Sequence, residues 1–260
     1  MKNKTGFTLA EILITLAIIG VTAALTLPSF VSNTKKNVWG NSLSVAIANW
    51  EKAFSIITIR DGVYSLLETK AWLNLDRDAE GELNNEKNDT IINQFVASIS
   101  STLHVKNHHK DFNNYYNSET IKELNSNGIA GNEIGMNLKH IGIETNRKNI
   151  YWITLFKGQK LLENDAIERG TMLTQQIGEV IIDINGNDKP NIIGRDLFKF
   201  YLNEDGKLYP IGGRDINLYE DSAPGLWSEE SSENSCVNDK IKTGWGCTAR
   251  LIEDNFNFKY

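Results

Sequence analysis

The chain has 260 residues, 40% of them hydrophobic, with 27 basic and 33 acidic side chains and a formal net charge of −6. This length suits one domain, or one domain with an insertion. Phosphate binding requires clustered lysine and arginine, so an acidic composition argues against nucleic acid as a general partner.

An apolar stretch from Phe7 to Leu27 begins almost at the N-terminus. It is long enough to cross a bilayer, which takes about 20 apolar residues. Glu11 stands near its start, where an ionised side chain needs a partner that neutralises it. A secretory signal peptide would have a shorter apolar core and a small-residue cleavage site. A plain membrane anchor would give no reason for Glu11.

Beyond this stretch, apolar residues recur at spacings of three and four. They are Trp39, Leu43, Ile47, Trp50, Phe54 and Ile57, with Ala46 and Ala53 on the same face. The spacing predicts an amphipathic helix that continues the first one. We expect it to end near Asp61 and Gly62, because glycine accepts the left-handed cap conformation. The chain therefore divides into a membrane-spanning segment, 7–30, and an amphipathic continuation, 31–62.

Residues 63–148 are predicted to be a variable, partly helical insertion. Helical patches are expected at 64–75 and 90–103, separated by polar connectors rich in asparagine. No function is assigned to this insertion.

The segment 149–260 is predicted to supply an antiparallel sheet and a C-terminal loop. Residues 150–156, 179–184 and 197–202 are rich in aromatic and β-branched side chains, which favour strands. Residues 204–207 predict a tight hairpin turn. The expected fold class is α+β, with a long N-terminal helix packed on an antiparallel sheet.

Cys236 and Cys247 are the only cysteines of the chain. An even pair in an exported domain predicts a disulfide that closes a short loop. The alternative is two unpaired buried thiols. Two cysteines without spaced histidines do not form a zinc pattern.

Short oxygen-bearing side chains recur around a second loop. Asp183, Asn185 and Asn187 alternate along the chain, and Asp188 and Asp196 could add carboxylates. This resembles the opening of a calcium-binding loop, so the five residues are candidate calcium ligands. The downstream glutamate of such a loop is missing. The alternative is a turn whose side chains hydrogen-bond their own backbone.

The sequence gives little support for catalysis. It contains no nucleophile elbow, phosphate-binding loop or metalloprotease motif. His104 and His108 would share a face if they lay on a helix, but the lysines beside them favour a solvated polar segment. We therefore predict that the protein is not an enzyme.

The segment from Gly6 and Phe7 to Glu11, followed by the apolar helix, resembles the N-terminal signature of the prepilin family. This family comprises type IV pilins and the pseudopilins of type II secretion systems. The resemblance implies that a leader, residues 1–6, is removed by prepilin peptidase. It also implies that Phe7 becomes an N-methylated N-terminus.

The same resemblance implies roles for other residues. Glu11 would pair with the N-terminal amine of a neighbouring subunit during assembly, and Pro28 falls where many members have a helix-bending proline. Many type IV pilins also carry a C-terminal loop bounded by a disulfide, as Cys236 and Cys247 would form here.

The implied partners are other pilin or pseudopilin subunits, prepilin peptidase, an inner-membrane assembly platform and the lipid bilayer. No cofactor is required. The chain would span the bacterial inner membrane once, with its C-terminal domain outside the cytoplasm, and then enter a periplasmic or surface filament. The alternative from a different class is a membrane-tethered binding protein or enzyme that uses a prepilin-like anchor.

Overall fold

The computed structural model describes residues 8–70, 99–100, 102–109, 112–116, 121–124, 130–133, 141–155, 176–213 and 226–260. The chain divides into two compact units, Met1–Val38 and Trp39–Tyr260. The described part of the first unit is helical. The second unit contains the sheet and its hydrophobic core.

A single long helix, α1, covers Leu9–Asp61. It ends where the sequence predicted, because Gly62 has a φ of +71° and so takes the left-handed conformation that terminates helices. A short 3₁₀ turn follows at Leu66–Glu68, and the Ser65 side chain caps it.

The remaining elements are mostly strands. In chain order they are β1 (Val105–His109), α2 (Phe112–Tyr115), β2 (Lys122–Leu124), β3 (Ala130–Glu133), β4 (Ile141–Thr145), β5 (Ile150–Leu155), β6 (Gln176–Asp183), β7 (Leu197–Asn203), β8 (Leu208–Pro210) and α3 (Cys247–Glu253). Six strands form one antiparallel sheet in the order β1-β4-β5-β6-β7-β8. Strands β2 and β3 pair separately. The predicted α+β class, with an N-terminal helix packed on an antiparallel sheet, is confirmed.

The predicted apolar stripe of α1 packs on this sheet. Six of its members are buried in the main core cluster, and Trp39 and Ile47, which are partly buried, pack against it; the six are Leu43, Ala46, Trp50, Ala53, Phe54 and Ile57. Two hydrogen bonds fix the joint: the Trp50 Nε1–H donates to the Gly206 carbonyl at 3.2 Å, and the Tyr151 hydroxyl donates to the Ala46 carbonyl at 2.9 Å.

The central strands of the sheet are covered on both faces. Along β5, Tyr151 and Ile153 belong to the core beneath α1, whereas Ile150 and Trp152 belong to a second cluster that includes α2. Successive side chains of a strand point to opposite faces, so a strand covered on both sides is apolar throughout. This explains the continuous apolar run that predicted the strand.

Two strands of the sheet come from the segment 63–148, which the sequence prediction treated as an insertion outside the sheet. These are β1 and β4. Strand β1 lies at one edge of the described sheet and its central residues are exposed. An edge strand with polar side chains has no apolar alternation to reveal it. His108 lies in β1, so the helix face shared with His104 is not formed.

The predicted helical patches are described only in part. Residues 99–100 and 102–103 are helical, and 66–68 form the 3₁₀ turn. Residues 71–98 lie outside the described residues.

Substitution of Gly206 by alanine tests the contact between α1 and the turn that connects β7 to β8. Gly206 has a φ of +82°, and a Cβ there would lie 2.9 Å from the Cβ of Phe54. Gly62 has a similar φ, but a Cβ there would meet no atom within 4 Å. We expect Gly206→Ala to lower the free energy of unfolding by about 2 kcal/mol more than Gly62→Ala, because only the first adds a steric clash. Urea unfolding of the full chain in detergent measures this difference. Equal losses would show that the turn does not press on α1.

Candidate functional site

The start of α1 is closed by a reciprocal pair of hydrogen bonds between Thr8 and Glu11. The backbone N–H and the hydroxyl of Thr8 both donate to Glu11 Oε2 at 2.8 Å. The Glu11 N–H in turn donates to Thr8 Oγ1 at 3.3 Å. This is a capping box, in which a threonine and a glutamate three residues later satisfy each other's backbone donors. Sequence reasoning assigned no role to Thr8, although the Thr-x-x-Glu spacing is the signal for it.

The helix that follows is apolar on every side and exposed. Its most apolar 18-residue window has a mean hydropathy of 2.1, and none of that window is buried. Leu9, Leu13 and Val21 each expose more than half of their surface. Among the described residues, α1 is the one helix long and apolar enough to cross a membrane.

Most of the hydroxyls on this helix are satisfied within it. Thr15, Thr22 and Thr26 each donate to a backbone carbonyl three or four residues earlier, at 2.9 Å. Such bonds suit surroundings that offer no water. Glu11 is the only charged side chain between residues 8 and 34. It is therefore the only charge that the apolar part of the helix carries.

Of the other residues predicted to act in this segment, the structure describes only Pro28. Pro28 lies inside α1, which continues past it to Asp61. Proline lacks the N–H that would donate one turn back, so the helix has one backbone bond fewer there. Gly6 and Phe7 lie outside the described residues.

The predicted disulfide is confirmed. Cys236 and Cys247 are bonded, with their Cα atoms 5.0 Å apart. Both cysteines are fully buried, in a small cluster with Leu124, Ile192 and Ile241. The bond therefore lies in the core. It closes the loop of residues 236–247, which ends at the first residue of α3.

The loop between β6 and β7 brings two of the predicted calcium ligands to buried positions. Asp183 accepts the N–H groups of Asn185 and Gly186 at 3.0 and 2.8 Å, and it also accepts the hydroxyl of Tyr116. These bonds form the hydrogen-bonded turn that the sequence left open as an alternative. Sequence reasoning did not find Tyr116, whose approach depends on how α2 packs.

Asp196 is held in the same manner at the other end of the loop. It accepts the N–H groups of Asn191 and Ile192 at 2.8 and 2.6 Å. The Asn185 side-chain amide closes the loop between Asp183 and Asp196 by donating to the carbonyl of Asp188 at 2.7 Å. Burial raises the pKa of Asp196 to about 6. Complete burial, with the nearby negative charge of Asp196, raises the pKa of Asp183 well above its usual value.

The five predicted ligands do not form one set. Asn187 and Asp188 are exposed, and Asp188 pairs with the Lys148 Nζ at 2.9 Å. Two amide oxygens of the loop are instead buried without a hydrogen-bond partner among the described residues: Asn185 Oδ1 and Asn191 Oδ1. Oxygen atoms of carboxylates and amides are the ligands that calcium takes. Asp183, Asn185 and Asp196, with Asn191, thus fit the chemistry of a calcium site better than the exposed pair.

Comparison with known proteins identifies the N-terminal segment. Residues 1–27 match the family model described as the prokaryotic N-terminal methylation motif, which is the signature of type IV pilins and pseudopilins. No curated protein and no solved structure matches the chain. The protein thus has a prepilin-type N-terminus, which together with the apolar helix is consistent with anchoring in a membrane by one span.

Loss of the disulfide should destabilise the domain. In the chain-entropy model, a loop of this length contributes about 3 kcal/mol. We expect the double variant Cys236→Ser/Cys247→Ser to lose about that free energy of unfolding in urea. Tryptic mapping of the native protein without reductant should recover the two cysteines in one cross-linked pair of peptides. Free thiols at both positions would contradict this structure.

Proposed function

We propose that the protein is a structural subunit of a type IV pilus-like or type II secretion pseudopilus filament, assembled through its N-terminal helix. One observation carries the proposal: a prepilin-type N-terminus leads into a helix whose first part exposes an apolar surface and carries Glu11 as its only charged side chain up to residue 34. Such a surface requires lipid before assembly and other helices after it.

Glu11 supplies the specific contact in this proposal. Thr8 donates two hydrogen bonds to Glu11 Oε2, but both donors are neutral, so the carboxylate keeps its charge. Cleavage after Gly6 by prepilin peptidase creates an ammonium group at Phe7, and N-methylation preserves its positive charge. A charge in an apolar medium is stable only when it is paired. The Phe7 ammonium of a neighbouring subunit would therefore neutralise Glu11 as subunits pack.

The second unit of the chain has the features of an exported domain. Its disulfide favours an oxidising compartment, which supports the proposal that residues 39–260 lie outside the cytoplasm. The sheet would then form the outer part of the filament. An inner-membrane assembly platform and other pilin-like subunits would be its partners.

The second candidate is a membrane-tethered binding protein or enzyme that uses the same kind of anchor. The described residues contain no group of three or more histidine, cysteine or acidic residues that could hold a metal ion. What discriminates the candidates is whether Glu11 is needed beyond membrane insertion.

Substitution at Glu11 separates assembly from anchoring. Glu11→Gln keeps an acceptor for Thr8 but removes the charge, whereas Thr8→Ala removes the threonine hydroxyl of the capping box but keeps the charge. We expect Glu11→Ala and Glu11→Gln to reduce filament incorporation at least about tenfold, because each leaves the neighbouring ammonium unpaired. Thr8→Ala should reduce it less.

The measurement is the amount of protein in sheared or detergent-resistant filaments relative to membranes. Membrane levels and leader removal in the three variants should match those of the unmodified protein. Normal incorporation of Glu11→Gln would contradict a charge-based contact. Absence of the unmodified protein from the filament fraction, with equal membrane levels in all variants, would favour the tethered alternative.

We also propose that the loop between β6 and β7 binds calcium through Asp183 and Asp196 with the amide oxygens of Asn185 and Asn191. The buried, unpartnered amide oxygens favour this proposal. Two buried carboxylates whose charges repel each other would be stabilised by a divalent cation.

Thermal unfolding tests the calcium proposal. At neutral pH, calcium at a hundred times its dissociation constant should stabilise the domain by about 2.7 kcal/mol relative to the chelator-treated protein. Asp196→Asn should abolish this shift, and Asp188→Asn, at the exposed position, should keep it. Identical melting curves with calcium and with chelator would contradict the proposal.

A further inference from the structure

Residues 254–260, which follow α3, fold back over the domain and are called here the C-terminal strap. Helix α3 ends at Glu253, and the next turn places Asn255 and Phe256 at φ values of +53° and +60°. A bulky residue such as Phe256 adopts this conformation only when surrounding contacts impose it. The strap must therefore be held by its neighbours.

The aromatic side chains of the strap alternate with exposed polar ones, and they contact two elements. Phe256 lies against α1 so closely that a Cβ at Gly40 would be 2.0 Å from its carbonyl oxygen. Only glycine permits that approach. The Phe258 ring lies 6.4 Å from the ring of Phe198 in β7. The strap thus bridges α1 and the sheet.

The far end of the strap contacts the disulfide. The Tyr260 hydroxyl donates to the carbonyl of Gly194 at 2.9 Å and lies 3.3 Å from the carbonyl oxygen of Cys247. Cys247 is one half of the disulfide and also the first residue of α3. The last residue of the strap therefore lies beside the disulfide.

Arg250 joins the strap to the disulfide loop from within α3. Its guanidinium donates to the carbonyl of Cys236 on one side and, at 3.3 Å, to the carbonyl of Lys259 in the strap. The same group lies over the rings of Trp227 and Tyr260, with distances of 5.5 and 5.2 Å to their centroids. A planar guanidinium can stack and donate at once, which lysine cannot reproduce.

We propose that Arg250 is a positioning residue that couples the disulfide to the strap, so that oxidation of Cys236 and Cys247 closes the strap over α1 and reduction releases it. In the closing step the two thiols form one S–S bond. They give up two protons and two electrons to a disulfide oxidant, which becomes a dithiol.

The coupling follows from what the disulfide fixes. The bond holds the Cys236 carbonyl that Arg250 uses, and the Cys236 N–H donates to the Trp227 carbonyl at 2.9 Å. Without the bond, the Cys236 carbonyl that accepts from Arg250 is free to move. The Trp227 ring that stacks on Arg250 is then free to move as well. The strap then loses Arg250, and the face of α1 at Gly40 is uncovered. The strap therefore covers the Gly40 face of α1 only in a compartment that oxidises thiols.

Hydrogen exchange of the full chain in detergent, followed by mass spectrometry, tests the proposal. The amides of Asn255, Phe256 and Asn257 report on the strap because each donates to a backbone carbonyl of the preceding turn. In Cys236→Ser/Cys247→Ser we expect these amides to exchange roughly tenfold faster or more. The amides paired between β6 and β7 should lose only the protection that corresponds to the fall in global stability measured in urea. Unchanged exchange in the strap would overturn the proposal.

A second variant keeps the test decisive if loss of the disulfide loosens the whole domain. Arg250→Lys retains the charge and leaves the disulfide intact, and it should speed exchange in the strap alone. Arg60→Lys is the matched control, since Arg60 is largely exposed and pairs with the adjacent Asp61. Unchanged amide exchange in the strap of Arg250→Lys would show that Arg250 does not hold the strap in place. Equally faster exchange in the strap and in the sheet would show the same.

Discussion

An apolar helix surface that the described chain does not cover is the constraint on which the rest of this structure depends. The first part of α1 exposes leucine, isoleucine and valine on every side. Water cannot accommodate such a surface at low cost, so lipid or other protein must cover it. The same helix continues into the second unit, where one face is apolar and is covered by the sheet. The first part of α1 therefore needs lipid or another protein around it, whereas its second part needs only the sheet.

Placing Glu11 on such a helix makes its charge the most specific feature of the uncovered surface. The capping box with Thr8 orders the carboxylate at the helix start without neutralising it. A neutral anchor would gain nothing from this arrangement, whereas a subunit that must align with its neighbour gains a defined contact. The match of residues 1–27 to the methylation motif agrees with this account, since processing at Gly6 would place a positive group one turn away. In the second unit, the described residues bury two hydrophobic clusters on the two faces of the sheet.

Much of this fold could be predicted because its signals are local. The stripe of α1 follows a helical period, Gly62 marks its end, and residues 150–156 form a continuous run rich in aromatic and β-branched side chains. Strand β1 could not be predicted, because Lys106 and His108 at a sheet edge look like any polar loop. Burial of Asp183 was equally hidden, since a run of short polar residues predicts an exposed turn. Its partner Tyr116 and the role of Arg250 depend on contacts between distant segments, which no spacing in the sequence records. Thr8 is different, because the Thr-x-x-Glu spacing of a capping box is visible in the sequence.

The most direct test of the central claim is mass spectrometry of the native N-terminal peptide, taken separately from sheared filament material and from washed membranes. A filament subunit predicts that the chain begins at N-methylated Phe7 and that this form is present in filament material, whether at the cell surface or recovered from the periplasm. An intact leader, with Met1 retained in both fractions, would contradict the account and leave α1 as a membrane anchor.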